Sequence, residues 1–269
     1  MPDEHQRLIA WLRRWDSALV AFSGGVDSSL LLAAAVEALG DGCLAVTVRS
    51  PLQAPDEAAA AEALARALGA RFQFADLDEL ADERVRRNAP DRCYHCKQLR
   101  YKALCALARQ RGLAQVLDGG NADDRRQYRP GMAARDALGV RAPLEELGLD
   151  KAAVRRLARA AGLANWDRPA AACLATRIPY QQPLEPARLA RVARAEAAVA
   201  GLGFGPLRVR DHGPLGLVEL EAAQLDRALQ QRRVLREALL RAGYTYAALD
   251  LAGLRSGAAD EVLDLDDDG

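Results

Sequence analysis

Short apolar and β-branched runs alternate with longer Ala/Leu/Arg-rich runs through the first part of the chain. Runs 17–22, 43–48, 71–77 and 114–119 read as strands, and 28–39, 56–69, 95–111 and 150–161 as helices. Strand and helix alternating at this spacing predict an α/β fold, a parallel sheet with helices on both faces. Ligands of such sheets sit beyond the carboxyl ends of the strands. The chain places "SGGVDSS" after the first strand and "DGGNADD" after the fourth. Past "GLANWDRP" the pattern changes to a helix over 187–201, strands near 207–211 and 215–220, a helix over 222–242 and a strand near 244–250. This predicts a first domain over 1–167, a smaller α+β domain over 168–258 and an acidic tail over 259–269.

Composition narrows the function classes. The 269 residues are half apolar, enough for one full core and a smaller second one. Acidic and basic residues balance at 37 each, so bulk charge gives no reason to expect nucleic acid or an anionic membrane as partner. The opening "MPDEHQRLIAWLRRWD" fits an amphipathic helix better than a secretory signal, and no apolar run approaches the ~20 residues a membrane span needs. Five cysteines, an odd number, fit reduced thiols and a cytoplasmic location.

At the first strand-to-helix corner, Gly24 and Gly25 allow a tight turn whose N–H groups approach an anion, and the following helix adds its positive end. Ser23, Ser28 and Ser29 add hydroxyl donors, and Asp27 is placed to orient the loop or to help hold Mg2+. The lysine of a Walker loop is missing. Instead "SGGVDSS" resembles the SGGxDS signature of the PP-loop ATP pyrophosphatases, which implies ATP as substrate, release of pyrophosphate and transfer of AMP to an oxygen.

The nucleophile that follows must come from elsewhere. Cys173 stands in "AAACLATRIPY", where a small buried thiol is the bland reading and a reactive one the functional reading. Arg177 and Lys97 are cations positioned to favour a thiolate. Cys93 and Cys96 form a C-x-x-C, a spacing that suits a shared metal, a cluster or a redox pair. Cys43 and Cys105 read as buried. In "RVR", Arg208 and Arg210 share one face of a strand and suit a phosphate, and Arg255 is expected near them; the alternative is a solvated surface. Asp123 and Asp124 read first as turn formers.

Taken together, "SGGVDSS", "YRPG" (128–131), "NW" (165–166), "CLATRIPY" (173–180), "RVRDH" (208–212) and "LDLAGLRSG" (249–257) resemble the LarE family of sulfur transferases over about residues 8–258. The resemblance implies a small-molecule nucleotide substrate, a pyridinium biscarboxylic acid mononucleotide on the route to the nickel-pincer nucleotide of lactate racemase. ATP would adenylylate a carboxylate, and Cys173 would displace AMP and then lose its sulfur, ending as dehydroalanine. Arg208 and Arg210 match positions that hold the substrate phosphate. A second route, implied by cluster-dependent relatives, has Cys93, Cys96 and Cys173 holding a 4Fe-4S cluster that carries the sulfur. Homo-oligomers are also implied. The alternatives are a PP-loop tRNA thiolation enzyme, an ammonia-dependent amide ligase and a non-catalytic ATP sensor.

Overall fold

A computed structural model describes residues 3–126, 131–169, 172–255 and 257–258. Along the chain run α1 (Glu4–Leu12), β1 (Ala18–Ala21), α2 (Val26–Leu39), β2 (Cys43–Arg49), α3 (Pro55–Ala67), β3 (Arg71–Asp76) and the short α4 (Glu83–Arg86). Next come α5 (Arg92–Gln110), β4 (Gln115–Leu117), α6 (Gly131–Ala137), α7 (Pro143–Glu146) and α8 (Lys151–Ala160). Last are α9 (Pro186–Ala200), β5 (Leu207–His212), β6 (Leu215–Leu220), α10 (Leu225–Gln230), α11 (Arg232–Ala242) and β7 (Tyr246–Leu249). They form two compact units, Met1–Glu79 with Asp91–Ala171, and Leu80–Pro90 with Ala172–Gly269. The segment 80–90 thus packs with the second unit although it lies between elements of the first. The "YRP" of 128–130 and the acidic tail 259–269 lie outside the described residues.

In the first unit the strand order is β3-β2-β1-β4, and every pairing is parallel. The period of two sorts side chains to the two faces. Ala18 and Val20 join the core beneath α1, α2 and α8, whereas Leu19, Leu44, Val46 and Val48 join the core beneath α5. Helix α2 is apolar nearly all round, and Leu30, Leu31 and Leu32 are almost fully buried, as expected of a helix enclosed on several sides. A parallel sheet covered by helices on both faces is the α/β arrangement that the sequence predicts.

The second unit has a three-stranded sheet in the order β5-β6-β7, antiparallel at β5/β6 and parallel at β6/β7. Helices α9 and α11 cover one face through Ala195, Val199, Leu239 and Ala242 against Val209 and Val218. Gly216 permits this approach, because a Cβ there would lie 2.9 Å from Leu239 Cδ1 and 3.0 Å from the Tyr244 ring. The helix expected over 222–242 is instead a 3-10 turn, α10 and α11, broken at Gln231 (φ −96, ψ 17). Both flanks are helical by composition. Helix α11 packs on α9 and β7, with Leu239 over Gly216 of β6. Within the same unit, fully buried Asn88 donates from Nδ2 to the carbonyls of Ile178 (3.2 Å) and Pro179 (2.9 Å), so segment 80–90 pins the chain that follows Cys173.

Candidate functional site

The glycine corner follows directly from β1. Gly24 adopts φ +74, and a Cβ there would press on Ala61 at 3.4 Å. Gly25 is the N-cap of α2 and leaves the helix without a side-chain cap, so the first N–H groups of α2 keep their anion-binding capacity. Ser28 Oγ donates to the Gly25 carbonyl at 3.0 Å and lies 3.1 Å from Ser23 Oγ, which holds the loop closed around the turn. Ser29, expected among the nucleotide-binding hydroxyls, has a different role. Its side chain is fully buried, donates to the Gly25 carbonyl at 2.8 Å and accepts from Asn165 Nδ2 at 3.0 Å, so it braces the loop from behind. Asn165 also donates to the Gly24 carbonyl at 2.9 Å.

The loop after β4 closes the other side. A Cβ on Gly119 would lie 2.9 Å from the Ser28 backbone nitrogen, so only glycine lets the two loops meet this closely. Asp27, in the first turn of α2, accepts from Asn121 Nδ2 at 2.9 Å on one oxygen and pairs with Lys151 Nζ on the other. Asp123 and Asp124 are turn and cap formers here: Asp123 Oδ2 accepts from the Lys151 amide at 3.0 Å and Asp124 Oδ2 from the Asn121 amide at 3.1 Å.

Lys97 lies on α5 and donates to Tyr101 Oη at 3.1 Å, and Tyr101 donates to Asp118 at 2.9 Å. Crowding of the ammonium head by protein atoms works against its charge, and the Asp118 carboxylate and Tyr101 oxygen outweigh it, so the Lys97 pKa is raised. A lysine raised in this way is a cation at neutral pH, suited to charge stabilisation rather than to proton abstraction.

Cys93 and Cys96 occupy the first turns of α5, three residues apart on one side, and both are partly exposed. Arg92 approaches Cys93 Sγ at 3.5 Å, and Cys96 Sγ lies 3.9 Å from Glu79 Oε1, a fully buried carboxylate that also accepts from Arg100 Nε at 2.7 Å. His95 turns to Asp91 at 3.0 Å. Among the described residues no three His, Cys, Asp or Glu side chains gather at a metal-binding distance. Cys93 and Cys96 supply two thiols on one side of α5. A lone carboxylate at Asp27 does fit Mg2+ arriving with a nucleotide, because that ion takes one or two carboxylates beside substrate phosphates.

In the second unit Cys173 is half-buried rather than sealed in the core. It caps the 3-10 turn Leu174–Arg177, and its carbonyl accepts from Thr176 Oγ1 at 2.8 Å. Arg177, expected to act on the thiol, is engaged elsewhere. It pairs with Glu196 at 2.8 and 3.2 Å and donates from Nη1 to the Ala172 and Cys173 carbonyls at 2.9 and 3.3 Å. The cation thus grips the backbone that carries the sulfur.

Arg208 and Arg210 do share a face of β5, opposite buried Val209, yet their surroundings differ. Arg210 is buried and spends its fork on Glu219 at 2.7 and 3.1 Å, with Nη1 on the Thr176 carbonyl at 2.5 Å. Arg208 donates from Nη1 to the Arg255 carbonyl at 3.0 Å. Desolvation first, then the like charges of Arg177 and Arg210, lower its pKa, so an incoming anion would relieve it. Arg255 is adjacent to Arg208 through that carbonyl, while its own guanidinium pairs with Asp250 at 3.1 Å. Cys43 is buried as expected; Cys105 is only partly so, with Sγ 3.9 Å from the Leu138 carbonyl.

Residues 13–117 match the NAD synthase family, which accounts for the glycine corner and its sheet. Over nearly its whole length the chain is also similar to the pyridinium-3,5-bisthiocarboxylic acid mononucleotide synthase of Lactiplantibacillus plantarum, 38% identical over 257 residues, 95% of this chain and 93% of the relative. The chain belongs to the LarE family. An uncharacterized protein of Synechocystis is likewise 38% identical over 250 residues, 92% of this chain and 93% of that protein. A more distant uncharacterized protein of Methanocaldococcus jannaschii is 26% identical over 203 residues, 76% of this chain and 77% of its own. Among the described residues of this LarE protein no helix is long and apolar enough to cross a membrane. Sequence reasoning gave no role to Asn121, Lys151, Asn165, Glu196 and Glu219, although Asn121 stands in "DGGNADD" and Asn165 in "NW". For Lys151 the signal was its rarity, since only three of the 37 basic residues are lysine.

Proposed function

We infer that this protein transfers sulfur to a carboxylate of a pyridinium biscarboxylic acid mononucleotide at the expense of ATP. The observation that carries the reading is the partly exposed Cys173 thiol on a turn whose backbone is held by Arg177 and Thr176, in a chain aligned end to end with a synthase of that bisthiocarboxylic product.

Gly24, Gly25, Ser23, Ser28 and the N-terminus of α2 bind the pyrophosphate part of ATP, and Asp27 takes the accompanying Mg2+. A substrate carboxylate oxygen attacks the α-phosphorus and pyrophosphate leaves. The Cys173 thiolate attacks the acyl carbon, AMP leaves and a thioester forms. Removal of the Cys173 α-proton then expels the thiocarboxylate by breaking Cβ–Sγ, leaving dehydroalanine. Arg208, desolvated and crowded by like charges, is the guanidinium best prepared for the substrate phosphate; Arg210 and Arg255 hold the surrounding backbone and carboxylates. The alternative carrier is a cluster, to which Cys93 and Cys96 would contribute thiolates beside Cys173. The LarE relationship also underlies the expectation of a cytoplasmic homo-oligomer.

The test is one turnover with ATP, Mg2+ and the biscarboxylic mononucleotide, followed by mass spectrometry of the protein. Pyrophosphate release that depends on the carboxylate, with Cys173 lighter by the mass of hydrogen sulfide, supports the reading. Sulfur transfer with an unchanged protein, together with iron and sulfide after anaerobic purification, would replace self-sacrifice with the cluster route. Carboxylate-independent pyrophosphate release, or none, removes sulfur transfer altogether.

A further inference from the structure

The PP-loop corner lacks a lysine of its own, and the structure supplies one from a distant part of the chain. Lys151, in the first turn of α8, places its ammonium on Asp27, the carboxylate nearest the N-terminus of α2. The stem of this lysine is fixed. Its amide donates to Asp123 Oδ2 at 3.0 Å, and α8 begins on an Asp150 side-chain cap to Ala153 N at 2.8 Å. Its head is not enclosed: the side chains of Lys151 and Asp27 keep 29% and 22% of their surface.

Asp27 is also held by Asn121 on its other oxygen, at 2.9 Å, so the carboxylate keeps its orientation when the ammonium departs. The residue type is informative too. In a chain with 3 lysines among 37 basic residues, two of them, Lys97 and Lys151, reach carboxylates at this end of the sheet. An ammonium is a compact point charge with three rotatable donors and exchanges partners readily, whereas a guanidinium would lock onto Asp27 as a fork.

We propose that Lys151 is the exchangeable cation of the nucleotide site: it neutralises Asp27 before nucleotide arrives, yields the carboxylate to the magnesium of Mg-ATP, and carries its own charge to the phosphate chain. This rests on the adenylylation reading above. Without such an exchange, a bare carboxylate would face the phosphates of ATP and repel them. Lys151 is thereby a positioning residue for Asp27 first and a phosphate contact afterwards.

The experiment measures ATP affinity by calorimetry, with Mg2+ and with EDTA, for the full-length wild type, Lys151→Gln, Lys151→Arg, Asp27→Asn and the double variant, with thermal unfolding recorded for each. Lys151→Gln is expected to weaken Mg-ATP binding at least about tenfold, and Lys151→Arg to recover part of it. In EDTA, Asp27→Asn is expected to bind ATP more tightly than wild type, because its lysine is released towards the phosphates with no carboxylate beside them; adding Lys151→Gln should erase that gain. A purely structural lysine would lower the unfolding temperature without this coupling. The proposal is overturned if folded Lys151→Gln binds Mg-ATP within about twofold of wild type, or if the double variant keeps the gain of Asp27→Asn in EDTA. Wild-type protein that binds no ATP in either condition would instead overturn the adenylylation reading on which the proposal stands.

Discussion

Arg177 and Glu196 form a two-pronged ion pair at 2.8 and 3.2 Å, and the same Glu196 oxygen also accepts from the Val209 amide at 3.0 Å. One carboxylate on α9 thereby ties the turn behind Cys173 to β5. Both side chains are mostly buried, at 8% and 17% exposure, so removing one charge strands the other. Glu196→Ala should cost about 3 kcal/mol in urea unfolding, within the range for breaking a buried pair. Sulfur transfer should fall steeply while ATP affinity of the folded fraction is unchanged. An unchanged rate of sulfur transfer would separate this pair from the position of the thiol.

Cys173→Ala should abolish sulfur transfer and leave ATP binding intact. Because the side chain is only half-buried, stability should stay within about 0.5 kcal/mol of wild type. Alkylation before turnover should label Cys173 ahead of Cys43, whose thiol is buried. Labelling in the reverse order would contradict the exposure on which Cys173 chemistry depends.

The two arginines of β5 should respond in opposite ways. Arg208→Ala removes a desolvated charge repelled by Arg177 and Arg210, so the fold should hold while KM for the mononucleotide rises about tenfold or more. Arg210→Ala leaves Glu219, 2% exposed, without its fork and should destabilise by about 3 to 5 kcal/mol. Equal effects on KM and on unfolding in both variants would remove this division of labour.

Gly119→Ala tests the meeting of the two loops. The added methyl would stand 2.9 Å from the Ser28 nitrogen, which is backbone of α2 and has little room to yield. ATP affinity should drop, and the drop should exceed that of Gly112→Ala, where a Cβ meets nothing within 4 Å despite φ +66. Equal ATP affinities would show that the loops separate without consequence.

Cys43 sets an alkaline limit. Burial raises its thiol from 9.0 to about 12, with Arg71 opposing the shift. The raised folded value means that the contribution is fully present below pH 9.0 and is lost as pH climbs towards about 12, by up to ~4 kcal/mol. Unfolding free energies of wild type and Cys43→Ala should therefore diverge in slope only above about pH 9, with the variant flatter. Parallel slopes would mean that the thiol ionises without penalty.

Much of the architecture is legible in the sequence. Continuous apolar runs mark β1 and β2, which are buried on both faces, the alternating RFQFAD marks the partly buried edge strand β3, and the apolar band of α2 marks a helix enclosed in the core. Glycines at 24 and 119 stand next to strand ends, where φ and close approach leave little choice of residue. The break at Gln231 is not legible, because both flanks favour helix and the turn comes where α11 packs on α9 and β7.

The candidate site divides along the same line. Local strings mark Ser23 to Ser29, Cys173 and the RVR strand as candidates, since each string is made of neighbours in sequence. The pairing of Asp27 with Lys151, the grip of Asn165 on the glycine loop, the diversion of Arg177 to Glu196 and the contrast between Arg208 and Arg210 all join residues far apart along the chain. Periodicity and motif encode which way a side chain faces and how the backbone turns, because those are short-range steric matters. Which charge finds which partner is set by desolvation inside the folded protein, and that cost exists only once distant segments have excluded water from between them.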